Sequence, residues 1–155
     1  MRIQPYLMFN GNCEEAMKFY EKALGGKIAM LMRYKDMPPQ EGGGEPPEGC
    51  APMSAADEAA LGEKVMHASL QVGDQVLMAS DSHPRYGYKG IEGVSIALGF
   101  DGTAEAGKVF DALSDGASIQ MPLTETFWSE SFGMLTDKFG VPWMINAEGS
   151  KKIPT

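Results

Sequence analysis

Residues 3–30, IQPYLMFNGNCEEAMKFYEKALGGKIAM, lie over residues 94–121, VSIALGFDGTAEAGKVFDALSDGASIQM, without a gap. The shift is 91 residues and leaves eight identities in 28 positions. Leu7 meets Leu98, Phe9 meets Phe100, Gly11 meets Gly102 and Glu14 meets Glu105. Phe19 meets Phe110, Gly25 meets Gly116, Ile28 meets Ile119 and Met30 meets Met121. Asn10/Asp101 and Asn12/Thr103 add similar pairs at the turn. A period this long marks a duplicated supersecondary unit rather than a solenoid.

Each copy reads the same way outward from this stretch. An alternating strand over 3–9 or 94–100 comes first. Ile3, Leu7 and Phe9 share one face and Gln4, Tyr6 and Met8 the other; Val94, Ile96, Leu98 and Phe100 oppose Ser95, Ala97 and Gly99 in the second copy. Asn12 or Thr103 is the expected N-cap of a helix over 14–24 or 104–114, with acids in the first turn where the helix dipole favours them. Met17, Tyr20 and Leu24 form an apolar stripe. Gly25-Gly26, or Gly116, ends the helix. A second strand starts at Lys27 or Ala117. Two more strands follow in each half: 65–72 and 75–80, joined at Gly73-Asp74, then 129–136 and 141–147, joined over 137–140. Each half is therefore β-α-β-β-β. The expectation is a single α+β domain over 1–155 built from two modules, 1–80 and 93–148, linked by 81–92. The stretch 35–63, rich in Pro, Gly and Glu, reads as a surface loop with a short helix near 55–61.

At 155 residues, 43% hydrophobic and 22% charged, the chain is long enough to bury a core and has ordinary globular composition. Its net charge of -8 and the absence of a basic stripe argue against nucleic acid as a partner. The start is too polar for a signal-peptide core, and no apolar run approaches a membrane span. Two cysteines, Cys13 and Cys50, make neither a disulfide framework nor a zinc cluster, so a cytoplasmic location is the default expectation. The twelve methionines read first as adaptable core filling and second as the lining of a ligand cavity.

The segments PYLMFNGNCEEAMKFYEKALGG, VMHASLQVGDQVLMASD and QMPLTETFWSESFGMLTDKFGVPWMIN together resemble the vicinal oxygen chelate superfamily, which comprises glyoxalases, bleomycin-resistance proteins and extradiol dioxygenases. Within it, the chain is similar to small bacterial PhnB-like proteins. The resemblance covers nearly all of the chain outside 35–63. It implies paired βαβββ modules forming a half-open barrel, and often a homodimer. It does not fix an activity. Labels naming phosphonate metabolism or a demethylubiquinone methyltransferase attach to such proteins, yet no glycine-rich nucleotide fingerprint supports the second.

Metalloenzymes of this superfamily place His, Glu or Gln on the cavity face of the first and last strand of each module. The matching positions here are Gln4 (or Pro5), Ser95, Leu77 and Met144. Only Gln4 is a usable donor, and one amide cannot hold a divalent ion, so the usual metal site is expected to be absent. A displaced site would use His67 beside Gln4, completed by Glu125 or Glu130. The bland reading of His67 is a hydrogen-bonded pocket residue, and that of His83 a loop residue. A reactive Cys13 is disfavoured by Glu14 and Glu15, and Cys50 reads as a bystander. Phe127, Trp128 and Trp143, with Glu125 and Glu130, are equally readable as core or as pocket wall. Three functions follow: a protein binding a small organic molecule through Gln4, Tyr6, His67, Ser95, Trp128, Glu130, Trp143 and Met144; a lyase- or dioxygenase-type enzyme with His67 and Glu125 as catalytic candidates; and a structural or regulatory dimer. No cofactor is expected under the first reading, and a divalent metal under the second.

Overall fold

The computed structural model describes residues 1–38 and 53–151. The chain divides into two compact units, residues 1–21 with 26–89 and residues 22–25 with 90–155. The first module runs β1 (Tyr6–Phe9), α1 (Cys13–Ala23), β2 (Lys27–Arg33), α2 (Ala55–Gly62), β3 (Val65–Val72) and β4 (Gln75–Asp81). The second runs β5 (Ile96–Phe100), α3 (Thr103–Leu113), β6 (Ser118–Thr124), β7 (Ser131–Thr136) and β8 (Pro142–Ala147). Each module has one open four-stranded sheet, ordered β1-β4-β3-β2 and β5-β8-β7-β6. β1 runs parallel to β4 and β5 parallel to β8, while the other pairs are antiparallel. The chain is therefore α+β and built as two βαβββ modules. The helix read near 55–61 is α2; the rest of that loop, Cys50 included, lies largely outside the described residues.

The registers superpose the modules residue by residue. Tyr6 pairs with Met78 where Ala97 pairs with Met144, and Phe9 pairs with Asp81 where Phe100 pairs with Ala147. Ala68 faces Ala79 where Gly133 faces Ile145. Both second strands carry a register shift at the same place, between Ile28 and Met30 and between Ile119 and Met121. An extra residue in one strand turns the following side chains to the other face. Ile28 consequently sits opposite core Leu70, whereas Met30, two residues on, sits opposite Ser69 on the far face.

The core of the first module is Leu7, Phe9, Ala68, Leu70, Leu77 and Ala79 from the sheet, with Cys13, Ala16, Met17 and Tyr20 from α1. The second uses Leu135, Trp143 and Ile145 with Ala106, Phe110 and Leu113 of α3. Three expectations need correction. The first strands begin at Tyr6 and Ile96, and Ile3 and Val94 are exposed. Pro5 has no N–H to add to a ladder, although its carbonyl still accepts from Met78. Thr103 is the first helical residue rather than the cap; Gly102 caps α3 with no side-chain hydrogen bond. The methionines are not core filling: Met17 alone among the twelve is buried.

Candidate functional site

The face of each sheet opposite the core carries the candidate site. In the first module two cross-strand rows cover it. One is Met30, Ser69, Met78 and Tyr6; the other is Met32, His67, Ser80 and Met8, with the His67–Ser80 step following from the Ala68–Ala79 pairing. The Tyr6 hydroxyl and His67 Nδ1 share a 3.2 Å hydrogen bond, and their ring centroids are 5.7 Å apart. Ser80 Oγ donates to Met8 Sδ at 3.3 Å. Met8, Met30 and Tyr6 are 42%, 49% and 45% exposed, Ser80 is buried, and Met32, His67, Ser69 and Met78 are half-buried. In the second module the same positions hold Met121, Met134, Met144 and Ala97 in one row, and Phe132, Asn146 and Gly99 in the other. Trp128 packs edge-on against Phe132 at 5.5 Å and against Phe127 at 4.6 Å. The repeat thus places methionine twice at matched positions on these faces, Met30/Met121 and Met78/Met144.

The expected site residues separate accordingly. Tyr6, His67, Met144 and Trp128 belong to these faces, and Tyr6 and His67 are brought together. Gln4 and Ser95 keep the expected parity but lie beyond the strand ends and are exposed. Leu77 is 6% exposed on the core face; the true counterpart of Met144 is Met78, and Leu77 corresponds to Trp143. Trp143 is not a pocket wall: it is 1% exposed and donates its indole N–H to Asp137 Oδ2 at 2.8 Å. Glu125 is exposed and paired with Lys151. Glu130 accepts from the amide and hydroxyl of Ser150 at 2.9 and 2.6 Å, which hold its carboxyl below the usual range. His83 caps a 3-10 turn at Pro84–Tyr86 by accepting from Arg85 N–H, the loop role expected of it. Burial, reinforced by the Asp81 and Glu14 carboxylates, pushes the Cys13 thiol far above its ordinary value, which removes it as a nucleophile.

Two aspartates escaped the sequence reading. Asp81, 2% exposed, accepts from Gly11 and Cys13 N–H through Oδ1 and from Val65 N–H through Oδ2, each at 2.9 Å. It fastens the start of α1 to β3 and β4. Asp137 does the same for the longer second hairpin, accepting from Phe139 and Val141 N–H and from Trp143. The charged cleft beside Asp81, about 440 Å³, is lined in part by groups that pair with one another, as Glu14 does with Lys18 and Arg33.

Residues 2–145 match the Glyoxalase/Bleomycin resistance protein/Dioxygenase superfamily. The chain belongs to that superfamily. It is 35% identical to Protein YjdN of Escherichia coli (strain K12) over 148 residues, covering 94% of this chain and 95% of that one. The crystal structure of protein PA1353 from Pseudomonas aeruginosa is 47% identical, with a TM-score of 0.80 over 97% of this chain and 99% of that chain. A Bacillus cereus PhnB protein, described as a putative 3-demethylubiquinone-9 3-methyltransferase, is 28% identical with a TM-score of 0.69, covering 95% and 99%. The PhnB-like resemblance therefore holds at the level of sequence and fold.

A superfamily metal site would need several hard donors on the open faces. The donors that the described residues place on those faces do not fit one. Among the described residues no three His, Cys, Asp or Glu side chains gather as a metal-binding group. The last-strand positions on the open faces are both methionines, Met78 and Met144, and thioethers are poor ligands for hard divalent ions. No helix among the described residues is long and apolar enough to cross a membrane.

Proposed function

We propose that this protein binds a small, largely apolar organic molecule on the open sheet faces, without the divalent-metal chemistry of its enzymatic relatives. The observation that carries the reading is the placement of the methionines. Seven of them, Met8, Met30, Met32, Met78, Met121, Met134 and Met144, occupy the open faces, and the bulges at the second strands are what turn Met30 and Met121 outward. Unbranched, polarisable thioethers adapt to irregular ligands and make favourable contacts with aromatic rings. Tyr6 and His67 supply the few polar groups that orient a ligand in such sites, and Trp128 and Phe132 supply aromatic surface. The chain's net charge of -8 favours neutral or cationic ligands over anions.

The test is a thermal-shift and fluorescence screen of small neutral and cationic aromatic compounds, repeated on Met78→Glu and Met144→Glu. The expected result is saturable binding by the wild type that carboxylates placed on the open faces abolish while the variants stay folded by circular dichroism. Saturable binding unchanged in both variants, or none across the screen, sinks the proposal.

A further inference from the structure

The hydrogen bond between Tyr6 and His67 spans a strand. β4 lies between β1 and β3, so the Tyr6 side chain reaches across β4 to a ring on β3. The crossing runs from the level of Met78, paired with Tyr6, to that of Ser80, the neighbour of His67. At 3.2 Å either partner can hold the shared proton. The chemistry of the two groups decides between them. A phenolic O–H is a stronger hydrogen-bond donor than a neutral imidazole N–H, and an unprotonated imidazole nitrogen is a stronger acceptor than a phenolic oxygen. Tyr6 therefore donates to Nδ1. The bond made at one ring nitrogen sets the proton on the other, so the neutral ring carries its proton on Nε2. Among the described residues nothing is hydrogen-bonded to Nε2. The first module's open face thus presents a neutral N–H donor on a ring whose orientation Tyr6 fixes. Neither cross-strand row there contains Lys, Arg, Asp or Glu, so nothing in the rows compensates a charge on the group that meets this donor. The other module has Phe132 in place of His67 and offers no equivalent.

We propose that His67 Nε2–H selects its ligand by a neutral carbonyl oxygen, with Tyr6 as the positioning residue that holds the ring and its tautomer. A carbonyl accepts without bringing a donor of its own, which weakly accepting thioethers would leave poorly paired. Met32, paired with His67 on β2, and Met78 lie on the same face and offer adaptable surface to the apolar remainder of the molecule. The inference rests on the organic-ligand reading and names the class that reading leaves open: an apolar ketone or ester.

The experiment has two arms on the full chain. The first needs no ligand: long-range proton–nitrogen NMR of the two histidine rings, at about pH 8.5 so that an ordinary imidazole is neutral. His83 is the internal reference, since its Nδ1 accepts from Arg85 N–H. His67 is expected to give the same pattern, with the proton on Nε2, and Tyr6→Phe to move its shifts toward exchange between tautomers. The second arm measures, by equilibrium dialysis, the dissociation constants of 2-acetylnaphthalene and of 2-ethylnaphthalene, which lacks the oxygen. The ketone is expected to bind about 5- to 10-fold more tightly than the hydrocarbon. His67→Phe, which copies the residue of the other module, abolishes that ratio while leaving the hydrocarbon's affinity in place, and Tyr6→Phe reduces it. A wild-type proton on Nδ1 overturns the proposal, as does a ketone preference that survives His67→Phe. Equal binding of the two probes overturns it and leaves the organic-ligand reading standing. Failure of both probes to bind takes this inference down together with that reading.

Discussion

The two modules share topology, register and bulge position, but they hold their helices by different means. In the first, buried Asp81 gathers three backbone N–H groups from the α1 start and from β3. Its counterpart is Ala147, whose side chain can accept nothing; there Ser129, fully buried, donates to the Ala147 carbonyl at 2.8 Å, and Gly102 caps α3 with backbone alone. The second module gains closeness instead. A Cβ on Gly133 would lie 2.8 Å from Phe110 of α3, while the first module carries Ala68 at that position. One copy of the duplication anchors its helix through a carboxylate, the other through a glycine that lets the helix approach.

The strongest way to break this comparison is Asp81→Ala. It strands three N–H groups, two of them in fully buried hydrogen bonds, and each lost partner costs the desolvation of a polar group. The expected loss is about 3–5 kcal/mol of unfolding free energy by urea denaturation. Ser129→Ala, the corresponding deletion in the other module, is expected to cost about 1–2 kcal/mol. Equal losses would show that the two anchors are equivalent and the asymmetry cosmetic.

Gly133→Ala tests the other half. Its methyl group meets the Phe110 ring and also the Leu123 backbone at 3.2 Å, so the helix or the sheet must shift. Overpacking of this kind costs about 1–3 kcal/mol. Phe110→Leu in the same chain, by shortening the opposing side chain, is expected to cost less on the alanine background than on the glycine one. A double-mutant cycle with no such coupling would mean that Phe110 is not what Gly133 accommodates.

The fold was legible because the duplication repeats its signals: the Leu7/Leu98 and Phe9/Phe100 pairs fix the core faces, and Gly25 and Gly116 end the helices. The site was legible only in part, and the bulges explain why. Alternation places Met30 on the face of Ile28, and one inserted residue reverses that, an event that leaves no mark in side-chain periodicity. The same limit moved the last-strand position from Met78 to Leu77, since counting from Gly73 and Gly140 ignores the longer second hairpin. Asp81 was hidden for a different reason. It stands at the end of β4, where an acid reads as the start of a linker, and its partners Gly11 and Cys13 are about 70 positions away, at separations of 70 and 68. Tyr6 and His67 were both singled out from strand parity, and their meeting follows from the β1-β4-β3 order that parity does not supply.

The smallest expected effect concerns where the third strand of each module is fastened. Val65 reaches Asp81 through its backbone N–H; its counterpart Glu130 donates its N–H to the Ala147 carbonyl and ties the chain beyond β8 through its own carboxylate to Ser150. The Ser150 hydroxyl and amide hold the Glu130 carboxyl below its ordinary value. The folded state therefore binds its proton less readily than the unfolded chain, so the tie contributes above the ordinary carboxylate range and is lost as pH falls through the lowered value. Glu130→Gln removes that dependence. The wild type should exceed the variant slightly at neutral pH, and the difference should shrink as pH falls below the ordinary carboxylate range, read from paired denaturation curves. The carboxylate is solvent-exposed, so screening keeps the effect small and added salt should shrink it further. A difference that persists in acid would assign the role of Glu130 to its backbone, making the two fastenings alike after all.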